Sequence, residues 1–566
     1  MSKLSGGAAV VEALRQEGVS HVFGVIGTAT LEIFDALYDS PDIVYVGVRH
    51  EQNAVHMADG YARIRGRAGV VLAGQPGPGA TNVVTGVAEA RLAFSPVVVL
   101  AGHTVSAQLD RHTFQEVDQQ ALFTPITKRT LTVHSAARIP EYLREAFLTS
   151  QAGRKGPVLV NLPGDLLAEP IEFAYRPVQD ELRDSTVAPG SVALERAAHL
   201  LNEAERPLII AGAGVKWSRA SPELARLAEK LSAPITASAG NGDVVPNDHP
   251  LYVGQVGPRG NEVATELSRT ADVILAIGTR LGYNTTLFKH DNLSAEARII
   301  QVDIEPTAVG RYFPIALGIV ADAGEMLRAL LPAITEAGTR SAWVSRATEA
   351  RRALLESRAE LAQERTNPLH PVTVFTAVQE VLPRNAIVTV DTGTISLQAT
   401  DVMQTFEPPA LLTPLDFGLV GFSYAAGLGA RAAAPDRPVV SIMGDGGFGM
   451  SMVEIGTALA ADLATVTVVL NNGCWGAEKA YQRDFFEGRY IGADIVNPAF
   501  DDIARAYGAR GVKAENPEEI SSAVAEGLAA ATPTVIEVPV DPDTMTSFRR
   551  DSFPHRGQPS DQDTPH

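Results

Sequence analysis

Cysteine is almost absent from this chain: 566 residues contain one, Cys474, which rules out an intrachain disulfide and fits a reducing compartment. Long apolar runs are missing too. None approaches the ~20 residues needed to cross a bilayer, so no membrane-spanning segment is expected. Basic charge is scarce, with 47 Lys and Arg against 66 Asp and Glu and a net charge of −19. A surface this acidic argues against nucleic acid or anionic membrane as a partner, although it leaves room for a local basic pocket. The opening residues, MSKLSGGAAVVEALRQEG, enter an amphipathic helical pattern at once and have no signal-peptide core. The expectation is a cytoplasmic protein acting on small molecules.

What is present points to an α/β enzyme. The hydrophobic share is 45%, the charged share 20%, and there are 49 glycines. The length suggests about three domains at ~150 residues each. Apolar runs alternate with helical patterns: 21–26, 43–48, 69–73, 97–101 and 158–161 in the first third, then 207–214, 273–277 and 299–302, then 387–391. That alternation predicts parallel sheets covered by helices on both faces, giving three doubly wound domains at 1–178, 190–338 and 366–545, with a tail at 546–566. A polar, proline-containing stretch at 175–189 reads as a linker, and 340–364 reads as a charged helix. The first and third blocks should share an architecture, although no sequence repeat proves it. Gly212 and Gly214 supply only half of a dinucleotide fingerprint, because Trp217 occupies the third glycine's position.

The densest motif runs from Gly444 to Gly476. Asp445 follows the apolar run 439–443, at the carboxyl end of an expected buried strand, where α/β proteins bind ligands. Gly446 and Gly447 leave backbone N–H groups open to phosphate oxygens. A second apolar run, 466–470, delivers Asn471 and Asn472 to the end of a neighbouring strand. A carboxylate, a carboxamide oxygen and a turn carbonyl are hard oxygen ligands, which with two diphosphate oxygens and a water complete an octahedron around Mg²⁺. A lone Gly-Asp-Gly is as often a plain strand-end turn; the paired asparagines 27 positions on favour the binding reading.

This pattern resembles the signature of thiamine diphosphate enzymes, in particular the three-domain acetolactate synthase/pyruvate oxidase-like group. The resemblance implies pyrimidine-binding, central and diphosphate-binding domains. Mg²⁺ would be held by Asp445, Asn472 and the carbonyl of Cys474, with Gly444, Gly446, Gly447, Trp475 and Gly476 around the diphosphate. Asp391-Thr392-Gly393-Thr394 matches the family's second diphosphate loop, though a helix cap at Thr394 would suit the same residues. In RHEQNAVHMADGYAR, Glu51 follows a strand and opens a helix. Spacing alone reads it as a charge on the helix dipole, whereas the resemblance has it bond the pyrimidine ring nitrogen and favour the tautomer in which the cofactor serves as its own base. Val420 would be the apolar wedge that bends the cofactor, and the Gly418 carbonyl would meet its exocyclic nitrogen. Gly77, in the turn Gly74-Gln75-Pro76-Gly77-Pro78-Gly79, would lie against the cofactor, and Gln115 would point into the substrate pocket. A homodimer or homotetramer follows, with each active site between the first domain of one subunit and the third of another.

The substrate is read from the helix after Asn472, which carries Trp475, Glu478, Lys479 and Gln482. Acetolactate synthases are normally apolar at the position of Glu478. The run 471–479, NNGCWGAEK, is similar to sulfoacetaldehyde acetyltransferases, which expel sulfite and pass the acetyl unit to phosphate. Gly278-Thr279-Arg280-Leu281 and Phe548-Arg549-Arg550-Asp551 agree with that likeness. The tail arginines read equally as an anion-binding lid or as a solvated end. Pyruvate decarboxylases use a glutamate at the position of Glu478 as a proton relay, but their paired histidines are absent; Arg111-His112-Thr113 stands instead, and His112 reads as a substrate contact or a surface residue. The Glu51 block is closer to acetolactate synthase and acyl-CoA lyase relatives. The readings therefore run from acyl transfer of the sulfoacetaldehyde type, through acetolactate synthesis from a 2-oxo acid, to a 2-hydroxyacyl-CoA or oxalyl-CoA lyase. In the lyase Lys216, Arg259 and Arg280 would contact phosphates of an ADP or CoA in the central domain, where FAD is the other candidate. A non-catalytic protein of the same fold is the alternative from another class. Cys474 reads as a small turn residue rather than a nucleophile, because no basic activator adjoins it.

Overall fold

A computed structural model describes residues 2–178, 185–335, 340–364, 366–400, 402–545 and 555. Arg549 and Arg550, read above as a lid or a solvated end, lie outside the described residues. Strand β1 (Ser2–Ser5) precedes six parallel strands, β2 (His21–Val25), β3 (Val44–Gly47), β4 (Gly69–Ala73), β5 (Val97–His103), β6 (Arg129–Thr132) and β7 (Val158–Pro163). Strand β8 (Pro170–Phe173) pairs antiparallel with β1. A second parallel sheet holds β9 (Pro207–Ala211), β10 (Ile235–Ala237), β11 (Tyr252–Gln255), β12 (Val273–Ile277), β13 (Arg298–Asp303) and β14 (Leu317–Val320). The third holds β15 (Ile387–Val390), β16 (Leu411–Leu412), β17 (Val439–Gly444), β18 (Val466–Asn471), β19 (Arg510–Lys513) and β20 (Thr534–Pro539).

Three parallel α/β sheets are therefore present, as the alternating pattern predicts. Their central strands read as unbroken apolar runs because both faces are covered: every residue of β4, β9 and β12 is buried. The first sheet runs β3-β2-β4-β5-β7-β6 and the third β16-β15-β17-β18-β20-β19. Renumbered within each sheet, both read 2-1-3-4-6-5, so the architecture expected to be common to the first and third blocks is common to them. The middle sheet, β11-β10-β9-β12-β13-β14, reads 3-2-1-4-5-6. Each order reverses beside its first-numbered strand, between β2 and β4, β9 and β12, and β15 and β17, and the crevice beyond the strands' carboxyl ends at such a reversal is where these sheets take ligands. The charged stretch at 340–364 forms one helix, Ser341–Ala362. Among the described residues no helix is long and apolar enough to cross a membrane.

The chain divides into two compact units. One comprises 1–185 together with 425–436 and 451–464; the other comprises 186–424, 437–450 and 465–566. In the first unit the helix Glu51–Arg65, closed by left-handed Gly66 (φ 76°), meets the helix segment beginning at residue 425 backbone to backbone. A Cβ on Gly60 would stand 2.1 Å from the Ala426 carbonyl oxygen, and one on Gly429 1.9 Å from that of Met57. Only glycine permits this approach.

Candidate active site

In the second unit the carboxyl ends of β15, β17 and β18 open into a cavity of about 610 Å³, partly continuous with solvent. Strand β17 ends at Gly444, and Asp445 starts the helix Asp445–Ser451 with 2% of its surface exposed. Burial raises the Asp445 carboxyl above its ordinary pKa; the Asn497 amide, donating to Oδ2 at 2.6 Å, and the Gly446 backbone oppose the shift. Strand β18 delivers the two asparagines to different tasks. Asn471 is committed to the protein, donating to Glu537 Oε1 at 2.9 Å and accepting from Asn497 at 3.2 Å. Asn472 lines the cavity with Asp445 and Cys474, and its Oδ1 accepts the Cys474 N–H at 3.2 Å.

The glycines of this motif are required by sterics. A Cβ on Gly446 would lie 2.5 Å from the Trp475 ring, and one on Gly447 2.2 Å from Asp391 Oδ2. Across the cavity a Cβ on Gly476 would meet Thr394 Oγ1 at 3.2 Å. Thr394 is the first residue of the helix Thr394–Ala399 and does not cap it; the cap position is Gly393, at φ 102° and without a side chain to offer. Asp391 is buried, accepts from the N–H groups of Gly421 at 2.9 Å and Phe422 at 3.1 Å, and has its carboxyl pushed up to about 6 by that burial, against the pull of those bonds. These bonds fix the turn that sets Val420 into the cavity wall. Gly418, at φ 75°, is exposed and is not part of that wall.

Trp475 and Glu478 line the cavity from the start of the helix Gly476–Phe485, Glu478 being exposed in its first turn. Lys479 is turned to Asp494 at 2.7 Å, and Gln482 braces the following loop through both polar atoms, at 2.9 Å from each of two Ile491 backbone groups. The Cys474 thiol is 3% exposed and is pushed up to about 11 by burial, which keeps it protonated and supports its reading as a turn residue.

In the first unit Glu51 opens its helix and accepts from Asn82 Nδ2 at 2.9 Å. A Cβ on Gly79 would lie 3.8 Å from Glu51 Oε1, and one on Gly77 (φ 56°) 2.5 Å from the Gln115 carbonyl oxygen. The glycine-proline turn thus touches both Glu51 and the Gln115 loop. That loop holds three non-glycine residues in the left-handed region, Asp110 (φ 62°), His112 (φ 55°) and Gln115 (φ 62°). Glu116 holds it, accepting from the N–H groups of Asp110 at 2.6 Å and Thr113 at 3.0 Å. Gln115 is half-buried and His112 is exposed.

The middle sheet gives its cations to protein partners. Lys216 pairs with buried Asp243 at 2.7 Å, Arg280 with Asp416 at 2.8 Å, and Arg259 donates to the Leu415 carbonyl at 3.2 Å. The partial glycine fingerprint has a packing explanation: a Cβ on Gly212 would meet the Gly278 carbonyl oxygen, and one on Gly214 the Gly278 Cα, each at 2.6 Å.

Family models match one region for each of the three sheets. They are described as thiamine pyrophosphate enzyme, N-terminal TPP binding domain, over 4–122; thiamine pyrophosphate enzyme, central domain, over 194–330; and thiamine pyrophosphate enzyme, C-terminal TPP binding domain, over 391–538. The chain belongs to the thiamine pyrophosphate enzyme family. Among its relatives, a probable acetolactate synthase large subunit of Methanocaldococcus jannaschii is 34% identical over 552 residues, covering 95% of this chain and 92% of the relative. A sulfoacetaldehyde acetyltransferase of Alcaligenes xylosoxydans xylosoxydans is 34% identical over 581 residues, covering 97% and 95%. An acetolactate synthase large subunit of Haemophilus influenzae is 33% identical over 555 residues, covering 96% and 95%.

Thiamine diphosphate is the cofactor of such an enzyme, and the cavity beside Asp445 fits its diphosphate end. The glycines lining it keep backbone groups accessible, and a carboxylate that burial makes costly to ionise there gains from a neighbouring cation. No group of three or more His, Cys, Asp or Glu suited to a metal occurs among the described residues. The Asp445 set is of another kind, one carboxylate with an amide and a carbonyl, as Mg²⁺ shared with a diphosphate prefers. Sequence reading missed Asn82 and Asn497, which touch Glu51 and Asp445 from 31 and 52 residues away.

Proposed function

We propose that this thiamine pyrophosphate enzyme uses Mg²⁺ and transfers the acetyl unit of sulfoacetaldehyde to phosphate, releasing sulfite and acetyl phosphate. The observation that carries the reading is Glu478: an acid set in the cavity wall beside Trp475, within a run, NNGCWGAEK, similar to that of sulfoacetaldehyde acetyltransferases. The relative from Alcaligenes supports it. The bound cofactor supplies a nucleophilic carbon for the aldehyde carbonyl. Asp445, Asn472 and the Cys474 carbonyl would hold the metal; Gly444, Gly446, Gly447, Thr392, Gly393, Thr394 and Gly476 would take the diphosphate; Val420 would stand against the cofactor's rings. Glu51 holds a proton against the pyrimidine nitrogen, with Asn82 fixing its carboxylate. Glu478 moves a proton at the substrate oxygen, and Gln115 orients the substrate. The same reading has the enzyme act as a homodimer or homotetramer in the cytoplasm.

Acetolactate synthesis from pyruvate is the second reading, favoured by the equal identity of the Methanocaldococcus relative. The engagement of Lys216, Arg259 and Arg280 by protein groups weighs against the acyl-CoA reading. Incubating the loaded enzyme with sulfoacetaldehyde and phosphate should yield sulfite and acetyl phosphate in equal amounts. Acetolactate from pyruvate with no sulfite from sulfoacetaldehyde overturns the first reading in favour of the second.

A further inference from the structure

Two carboxylates meet the start of the helix Glu51–Arg65. Glu51 belongs to it, and Glu454 comes from 403 positions further along the chain, within the same compact unit. Glu454 has no exposed surface. Both of its oxygens accept the Arg49 N–H at 3.1 Å; Oε1 also accepts the His50 N–H at 3.2 Å and Asn53 Nδ2 at 2.9 Å, and Oε2 accepts the Thr457 hydroxyl at 2.5 Å. A buried carboxylate with this many donors is held by charge-assisted bonds and in turn fixes what it touches.

Those bonds bear on Glu51 directly. An acid in the first turn of a helix ordinarily folds back onto the exposed N–H groups there. Here four of the N–H groups around the helix start are taken: Arg49 and His50 give theirs to Glu454, Gln52 gives its own to His50 Nδ1 at 3.2 Å, and Asn53 gives its own to the His50 carbonyl at 3.0 Å. The Glu51 carboxylate turns instead to Asn82.

We propose that Glu454 is a positioning residue for Glu51: it occupies the helix start so that Glu51 projects its carboxylate toward the cofactor. The proposal rests on the reading of Glu51 as the acid facing the pyrimidine. Removing Glu454 frees the Arg49 and His50 N–H groups, and Glu51 relaxes onto them.

The test is substrate-free deuterium exchange at the reacting carbon of bound thiamine diphosphate, followed by NMR, together with cofactor affinity by calorimetry. Glu454→Ala should slow exchange by roughly tenfold or more while affinity stays within about threefold, because Glu454 acts on the acid through the Arg49 and His50 N–H groups and would not touch the diphosphate. Glu454→Gln, which keeps an acceptor for the two N–H groups, should recover most of the rate. A folded Glu454→Ala protein exchanging at the parental rate, or losing affinity in proportion to exchange, overturns the proposal. Asn53→Ala removes one of the same bonds and serves if Glu454→Ala does not fold: slower exchange at unchanged affinity supports the proposal, and the parental rate overturns it. Glu51→Gln separates the two levels. Parental exchange in Glu51→Gln overturns the reading of Glu51 itself, whereas slow exchange there with parental exchange in Glu454→Ala overturns only the role of Glu454.

Discussion

The first and third sheets follow one strand order and carry opposite loads. At the reversal point of the first, β2 and β4 end in Gly27 and in the turn 74–79, which offer backbone, and the single carboxylate, Glu51, comes from the helix after β3. In the third, β15, β17 and β18 end in Asp391, Asp445 and Asn472, oxygen donors placed side by side, with glycines between them. The order of strands decides where a ligand sits, and the residues just past each strand end decide which part of the ligand that is. One scaffold can thus present backbone and a single acid at one sheet and clustered oxygen donors at another.

The sharpest way to break this contrast is to remove each end separately. Glu51→Gln should leave cofactor affinity intact and lower turnover by on the order of 10² to 10⁴, the usual scale of lost acid–base assistance; near-parental turnover would erase the division of labour. Asp445→Ala should do the reverse, weakening Mg²⁺-dependent cofactor retention by at least about 100-fold, since even groups outside the metal's own ligand set cost 10- to 100-fold when lost; unchanged retention by calorimetry would count against the metal site. The smallest effect is on the apoprotein's stability. The Asp391 carboxyl, pushed up to about 6 in the fold, favours the native state fully at pH below its ordinary value near 4, and this contribution is lost as pH rises through 6. The urea midpoint should carry that decline between pH 4 and 6, and Asp391→Asn should flatten it; an identical pH dependence in both proteins would show that Asp391 ionises without cost.

Much of this arrangement is legible in the sequence, because buried parallel strands are apolar runs and whatever follows them sits at a ligand-binding edge. Asp445, Asn472 and Glu51 are found that way. Seven parallel strands escape the pattern. Five are edge strands of four residues or fewer, Arg129–Thr132, Tyr252–Gln255, Leu317–Val320, Leu411–Leu412 and Arg510–Lys513; the other two lie inside their sheets, Ile235–Ala237 with only three residues and Thr534–Pro539 with its apolar run broken by Glu537. The antiparallel pair β1–β8 escapes because its first member is only four residues long and runs straight into the helix Gly6–Gln16. The partners of the functional groups escape for a different reason. Asn82, Asn497 and Glu454 carry no local pattern, and only folding brings them to Glu51, Asp445 and the helix start. Gly212 and Gly214 mislead in the opposite sense, since close packing against Gly278 demands the same small residues that a phosphate loop would.

The solitary thiol of Cys474 makes the turn after β18 its own reporter. Buried at 3% exposure and held far from ionisation, it is shielded from alkylating reagents while residues 471–476 keep their conformation. Because no other thiol competes, the rate at which the whole chain takes up one label counts the openings of that single turn, and a ligand that closes the turn makes the protein silent to the reagent.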